Sequence, residues 1–353
     1  MPAGVVFVHN NFPAQFADLA ASLVARGVPV AAIGGAAAPG VDGVRLGRYG
    51  LPRGTTNGIF PLAVRAEADL LRGASALRIA RQLKDTGVDP AVIVAHPGWG
   101  ESIFLREVWP DAKIVAYSEF YYRGRGLDVG FDTEFGGPSE ESTLRAEAKN
   151  AVMSMGLAQA DAIVAPTEFQ ASVLPPAFRA RARVIHEGVD TDAIRPGPPE
   201  PFELAEGQMI WPGAAVITYV NNNMEPLRGL HIFARALPRL LAEAPEAQVL
   251  MFGQDNPRPY GGQTADGRTW REVVFEGLQI DPARLHVMGK VSHATMLAGL
   301  KLSTAHVYYT YPFVLSWSLV EAMASGCYVI GSDTPPLHDA IEDGVNGRLL
   351  PFF

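Results

Sequence analysis

VVFVHNNFPAQFADLAASLVARGVPVAAI, residues 5–33, decides the fold class. Its first four residues are an unbroken apolar run, the form of a strand buried on both faces. A polar loop, 9–12, follows, and Pro13 stands where a helix accepts proline as its first residue. Phe16, Leu19, Ala20, Leu23 and Val24 recur at helical spacing, and Gly27 ends the pattern. A second apolar run, 30–33, returns the chain to a strand. Strand, helix, strand is a βαβ unit, which implies a parallel sheet with a right-handed crossover.

The alternation continues outward from this unit. Apolar runs at 91–95, 113–117, 162–165 and 183–186 predict further strands, and 141–159 is the clearest helix between them. The segment IRPGPPEPFELAEG, 194–207, has no apolar period and is rich in breakers, so it reads as linker and flank. A second series then runs through 216–220, 248–252, 285–288, 305–309, 328–331 and 348–350. The expected fold is α/β, with two Rossmann-like doubly wound domains at 1–195 and 208–353 joined by a linker at 196–207. The chain stops just after the last apolar run, where such a domain normally adds a covering helix, so the C-terminal end reads as truncated. No short-period repeat supports a solenoid or propeller.

Composition narrows the function. The 353 residues are 48% hydrophobic and 19% charged, as in a globular enzyme. The net charge of −8, with no long basic run, argues against a nucleic-acid partner, which needs clustered cations. A lone cysteine, Cys327, allows no internal disulfide, and no Cys/His cluster offers a zinc site. A cytoplasmic location is expected. The N-terminus lacks the basic region of a signal peptide, and no stretch approaches the roughly 20 apolar residues of a spanning helix. Membrane contact is expected to be peripheral at most, at the inner face.

In open parallel sheets ligands bind outside the carboxyl ends of the strands. His9, Asn10 and Asn11 follow one predicted strand, His96 another, and Ser118 and Glu119 a third. In the second half, 221–228, Gly253–Asp255, Thr310 with Tyr311, and 332–334 hold the same position. Two such sets facing each other across a cleft would suit the joining of two substrates, although strand-end loops are polar in any protein. GxGxxG after the first strand, GxxxxGK[ST] and GxSxG are all missing, which weakens a dehydrogenase, a P-loop NTPase and a serine hydrolase.

The most informative segment is TYPFVLSWSLVEAMASG, 310–326. Ser316 or Ser318 can cap a helix running through Glu321, and the free N–H groups at its start, near Leu319, favour a diphosphate. Glu321, one turn in, can accept from the two hydroxyls of a ribose. An ordinary surface helix has the same outward form.

Several blocks in collinear order resemble the retaining family 4 glycosyltransferases, group 1 type. SLVEAMASG (318–326) and GSDTPPLHDAIEDGVNGRLL (331–350) are similar to that family's donor-binding end. HEGVDTDAIRP (186–196) resembles its interdomain passage, and YVNNNMEPLRGLHIFARALPRLL (219–241) its first C-terminal βα unit. VHNNFPAQF (8–16), AHPGWGES (95–102), YSEFYYR (117–123) and APTEFQ (165–170) look like one branch of it. The resemblance implies a GT-B fold and transfer of a sugar, with retention, from a nucleotide-diphosphate sugar to a glycan, lipid-linked or protein acceptor. It implies no metal and no cofactor, because cations and a helix N-terminus neutralise the departing diphosphate. Asp190-Thr191-Asp192, the one Asp-x-Asp, therefore reads as structural.

By position, the resemblance assigns Glu321 to the ribose, and Arg228, Lys290, Gly253 and the 316–319 helix start to the donor. Asn10, Asn11, Phe12 and Tyr122 fall on the acceptor side, with Glu119 and His96 beside the reacting sugar. Two departures stand out. Eight residues before Glu321, where the family carries a glutamate, this chain has Phe313. After the first C-terminal strand, where relatives carry an arginine, it has Asn221-Asn222-Asn223. Losing that cation costs on the order of 1.5–3 kcal/mol of charge-assisted bonding, and Lys290 is the nearby cation placed to compensate. Two alternatives stay open: a non-catalytic nucleotide-sugar or glycan binding homologue acting as a partner subunit, and a GT-B-like epimerase or phosphorylase. RARAR, 179–183, reads as a solvated face.

Overall fold

The structure, a computed structural model, describes residues 4–204, 207–256 and 259–353. The chain divides into two compact units at Glu187/Gly188.

The first unit runs β1 (Gly4–Val8), α1 (Ala17–Ala25), β2 (Val30–Gly35), β3 (Arg45–Tyr49), α2 (Val64–Asp85), β4 (Pro90–Ala95) and β5 (Lys113–Tyr117). It continues with α3 (Glu140–Ala148), α4 (Asn150–Gln159), β6 (Ala162–Ala165), α5 (Glu168–Ser172), α6 (Pro176–Arg179) and β7 (Ala182–Val184). Its seven strands are parallel in the order β3-β2-β1-β4-β5-β6-β7. The apolar run of β1 is buried on both faces because side chains alternate along a strand. Val6 and Val8 enter a core with Ile93, Ile114 and Leu157, while Phe7 points the other way, against Phe12 and Phe16.

The second unit comprises β8 (Phe202–Glu203), β9 (Met209–Ile210), β10 (Val216–Asn223), α7 (Leu230–Glu243), β11 (Gln248–Gln254), α8 (Trp270–Phe275) and β12 (Leu285–Gly289). After these come α9 (His293–Leu302), β13 (Ala305–Tyr308), α10 (Trp317–Ala324), β14 (Val329–Ser332) and β15 (Gly347–Leu350). Six strands form a parallel sheet in the order β12-β11-β10-β13-β14-β15, and β8 pairs antiparallel with β9. Both large sheets are doubly wound, and their strand order reverses between β1 and β4 and between β10 and β13. Those crevices are where such sheets take ligands. Among the described residues, no helix is long and apolar enough to cross a membrane.

Several expectations need correction. The helix expected from Pro13 opens as a 3-10 turn, Ala14–Phe16, and Leu19 lies 48% exposed on the outer side of α1. The expected 141–159 helix divides at Lys149, where the amide of Asn150 turns inward to bond both the N–H and the C=O of Tyr122 (3.0 and 2.8 Å). The 183–186 strand is β7, ending at Val184, with Ile185 largely exposed. Phe202–Glu203, inside the stretch read as linker, forms β8. RARAR keeps the exposed face expected of it, and two of its arginines also have partners: Arg181 donates to Ala160 O and Leu157 O (both 2.8 Å) at the end of α4, and Arg179 pairs with Glu168.

Candidate functional site

Each sheet presents a cluster of polar side chains at its switch point. In the first unit, β1 ends at His9 and β4 at His96, and their buried rings meet edge to face at 5.2 Å. The backbone N–H of Asn11 donates to His9 Nδ1 (2.9 Å), and that of Gly98 donates to His96 Nδ1 (3.1 Å). A ring nitrogen that accepts carries no hydrogen, so both neutral rings hold their proton on Nε2. His96 Nε2 lies 3.5 Å from Glu119 Oε2, long for a hydrogen bond but close enough for attraction between N–H dipole and carboxylate.

Glu119, partly exposed after β5, also accepts from Gln15 Nε2 at 3.0 Å, and Gln170 Nε2 donates to its backbone oxygen at 2.6 Å. Burial alone would raise its carboxyl, but the contacts with His96 and Gln15 outweigh it and hold the group below its ordinary value. Burial, reinforced by the His96 ring, pulls His9 down to about 3, so it stays neutral.

Asn10 is positioned from behind. Tyr49 Oη lies 3.0 Å from Asn10 Oδ1 and 2.5 Å from Oε1 of the fully buried Glu101. One phenolic hydrogen cannot serve both oxygens. Burial pushes the Glu101 carboxyl up against the opposing contacts of Tyr49, Arg72 and His96. The phenol donates to Glu101 Oε1, the shorter of the two contacts, and its oxygen stays beside the Asn10 amide. The 97–99 loop after His96 is braced by Arg65, which donates to Gly98 O and to buried Asp69 and sits 5.0 Å over the Trp99 ring.

In the second unit, Arg228 lies in a 3-10 turn, Pro226–Arg228, just after β10. Its Nη1 contacts Tyr308 Oη (3.1 Å), Thr310 Oγ1 (2.9 Å) and Val314 O (2.9 Å). Among the described residues, no protein acceptor is bonded to Nε or Nη2. One edge of the guanidinium fork is thus pinned and the other is open to an anion. Tyr308 Oη also accepts from the N–H of Ser316 at 2.8 Å, which ties Arg228 to the start of α10. Ser316 caps that helix, its Oγ accepting from Ser318 N at 3.3 Å. Glu321, one turn in and 13% exposed at its side chain, accepts from His293 Nε2 at 2.6 Å. A carboxylate only accepts, so the His293 proton sits on Nε2.

The predicted residues therefore resolve into those with an available group and those without one. His96, Glu119, Asn10 and Asn11 converge near the first switch point. Tyr122 is held at its backbone by Asn150 and covered by the Lys149 ammonium 4.4 Å from its ring. Phe12 is fully buried with Phe7, and its backbone N–H and C=O already bond His9 O (3.0 Å) and Gly40 N (3.1 Å). Leu319 is likewise fully buried, and its N–H already bonds Ser316 O at 3.1 Å. Ser318 Oγ donates inward to Val220 O at 3.2 Å. Gly253, the last residue but one of β11, has φ +148°, and a Cβ there would fall 2.2 Å from Asn221 O. Lys290 is exposed one residue past β12.

At the first departure, the Phe313 ring lies 5.5 Å from the Arg228 guanidinium and 4.5 Å from the Tyr260 ring, so an aromatic face stands where a carboxylate was expected. Sequence reasoning did not single out His293, Tyr308, Gln15 or Glu101. Of these, His293 lies three residues after Lys290, in GKVSH (289–293), and Glu101 lies in AHPGWGES, so the neighbourhood of each was visible while its partner was not. Asp190 of the Asp-x-Asp accepts from the N–H groups of Asp192 and Ala193, a local turn.

Comparison with known proteins adds an independent line. A family described as "Glycosyl transferase family 4 group" matches residues 26–194, and one described as "Glycosyl transferases group 1" matches 214–352. A phosphatidyl-myo-inositol mannosyltransferase of Mycolicibacterium smegmatis is 29% identical over 142 residues, 38% of this chain and 32% of that protein. The chain thus spans about a third of that relative's length. Sucrose-phosphate synthase of Thermosynechococcus elongatus matches in structure with a TM-score of 0.69 at 15% identity, covering 99% of this chain and 86% of that one. Anabaena HepE in complex with UDP and glucose matches with a TM-score of 0.58 at 13% identity, over 99% and 86%. At such identities these structures carry the fold alone.

Proposed function

The chain belongs to the group 1, family 4 glycosyltransferases and shares their GT-B architecture, and on that premise we propose that it transfers a sugar from a nucleoside-diphosphate donor. The observation that carries the reading is the half-satisfied Arg228, pinned through Nη1 with its other edge open, beside the Ser316 cap. Arg228 and Lys290 stabilise the charge that develops on the departing diphosphate, so the step needs no metal or other cofactor. Glu321, oriented by His293, accepts from the ribose hydroxyls.

The acceptor hydroxyl is received by the His9, His96 and Glu119 group. Its oxygen bonds the anomeric carbon as the bond from that carbon to the diphosphate oxygen breaks, and its proton passes to the leaving phosphate on the same face. The configuration is then retained without a protein nucleophile. The Mycolicibacterium relative supports a lipid-linked acceptor, and a glycan or protein is the other acceptor class.

Calorimetric titration with UDP, GDP, ADP, CMP and dTDP tests the donor assignment. One nucleotide is expected to bind, and Arg228→Ala to weaken it roughly 10- to 100-fold, the loss of a charge-assisted bond. If no nucleotide binds the folded chain, or Arg228→Ala binds unchanged, the assignment fails. Glu321→Ala is expected to weaken the same nucleotide about tenfold with the fold kept, and His293→Ala to reproduce part of that loss. Wild-type affinity in Glu321→Ala removes the ribose role. Phe313 in place of a carboxylate favours one second reading, a non-catalytic binding homologue, which binding without turnover would establish.

A further inference from the structure

At the opposite end of the second sheet, against the N-terminal ends of β10, β11 and β12, lies a cavity of about 730 Å³. Gln248 opens β11 and lines it, whereas the Arg228 group sits at the far strand ends. The seven residues of β11 span ~20 Å, so the two places are separate. Nothing in the proposed transfer uses this cavity.

Its rim is a tight turn. Ala214 N donates to Trp211 O at 3.2 Å, with Pro212 second and Gly213 third at φ +94°, the composition of a type II turn. This turn holds Trp211 at the mouth with 63% of its surface exposed. An indole face kept open on a rigid turn is a platform for a flat apolar surface.

The wall beside it is polar. His286 Nε2 lies 2.8 Å from Gln248 Oε1. An amide oxygen only accepts, so the imidazole proton is on Nε2, its Nδ1 remains an acceptor, and the Gln248 NH₂ remains a donor. Burial holds the His286 ring below its ordinary pKa, which keeps that acceptor available at neutral pH. Gln208 and Glu246 add an amide and a carboxylate to the lining.

The charge of the lining excludes some ligands. It contains one carboxylate, Glu246, and no lysine or arginine among its described residues, so a phosphate or nucleotide would meet repulsion without a counter-charge. A purely apolar ligand would strand the amides and the imidazole without hydrogen bonds. A neutral sugar ring matches both halves, with its C–H face on the indole and its hydroxyls, each donor and acceptor, on the His286–Gln248 pair. The volume lies within the ~300–1,000 Å³ of small-ligand sites.

We propose that this cavity is a saccharide-binding site, with Trp211 as its platform and the His286–Gln248 pair as its hydroxyl-reading wall, separate from the nucleotide site. It takes a short stretch of a neutral glycan chain.

Ligand-observed saturation-transfer NMR on the full chain, with maltohexaose, cellohexaose and mannohexaose as probes, tests this. At least one hexaose is expected to bind saturably, tenfold or more weakly in Trp211→Ala and near wild-type in Trp211→Phe. Binding is expected to be unchanged in Arg228→Ala. Trp211 is a turn residue at the surface, and circular dichroism of its variants checks that the fold is kept. Three outcomes overturn the proposal: no saturable signal from any hexaose, binding that survives Trp211→Ala, or binding that disappears in Arg228→Ala and so belongs to the other site. Nucleotide titration of the Trp211 variants reads the donor site independently, which keeps failure here distinct from failure of the transfer reading.

Discussion

Gly229→Ala is expected to destabilise the second unit by ~2–4 kcal/mol and to weaken nucleotide binding at least as much as Arg228→Ala. Gly229 follows Arg228 with φ +70°, a conformation that costs an L-residue on the order of 1–2 kcal/mol. An added Cβ would fall 2.2 Å from the Cβ of Tyr309, a distance that no rotamer change relieves. The turn has little room to shift, because Gly229 N bonds Pro226 O at 2.7 Å and Tyr219 Oη donates to Arg228 O at 2.8 Å. Moving Tyr309 would also displace Tyr308 and Thr310 on either side, both of which hold the guanidinium. Gly277→Ala is the matched control, since Gly277 has φ +75° and open space around it, and only ~1–2 kcal/mol is expected there. Urea unfolding and calorimetry on both variants decide the matter. Equal, small losses with unchanged affinity would show that the Tyr309 contact is not what holds Arg228.

Acidification is expected to destabilise each unit separately, beginning well above the carboxylate range. His9 in the first unit and His306 in the second are both lowered to about 3. Burial is the main cause at each, reinforced at His9 by the His96 ring. His306 is fully buried, with Nδ1 2.9 Å from Thr218 Oγ1. In the unfolded chain both rings take up a proton near pH 6.5. The sign follows directly: between about 6.5 and 3 the unfolded state holds one more proton per histidine, so stability falls as pH falls. The slope is roughly 1 kcal/mol per pH unit in each unit, and the full stability is present above pH 6.5. Glu119 adds to the loss lower down. Its folded pKa is depressed, so its contribution is present above the unfolded value and disappears as pH drops through the folded one. Urea midpoints at pH 7, 6 and 5 measure the effect, and His306→Leu should flatten the response of the second unit alone. A flat profile over that range would mean that both rings titrate as if exposed.

How much of this could be read from the chain varies with what each element buries. β1 was legible because a strand covered on both faces is an unbroken apolar run, β10 because only Thr218 interrupts its run at 216–220, and the cap at Ser316 because capping is a contact two residues long. α2 was not, for a physical reason. Its buried positions include Gly73, Ser75, Ala76 and Ala80, small residues that let the helix approach the 97–103 loop, and a Cβ on Gly73 would fall 2.7 Å from Gly100 O. A face made of small residues leaves no apolar stripe to count. β3 is an edge strand, RLGRY, with too little apolar content to stand out. Phe12 and Leu319 show the converse limit, since a motif position identifies a loop or a helix start but not which way its side chain points.

Local pattern was enough to establish two parallel α/β series, to place the polar loops at the carboxyl ends of their strands, and, through collinear motifs, to indicate the family. Each of these depends on residues within a turn or two of one another. The working geometry needed the folded chain: Gln15 against Glu119, His293 against Glu321, and Tyr308 holding both Arg228 and the α10 start. Those partners are separated by 104, 28 and 80 residues, the last for Tyr308 and Arg228. Hydrogen bonds between side chains so far apart have no period or spacing along the chain, and they exist only once each unit has folded and its sheet has gathered its own strand ends.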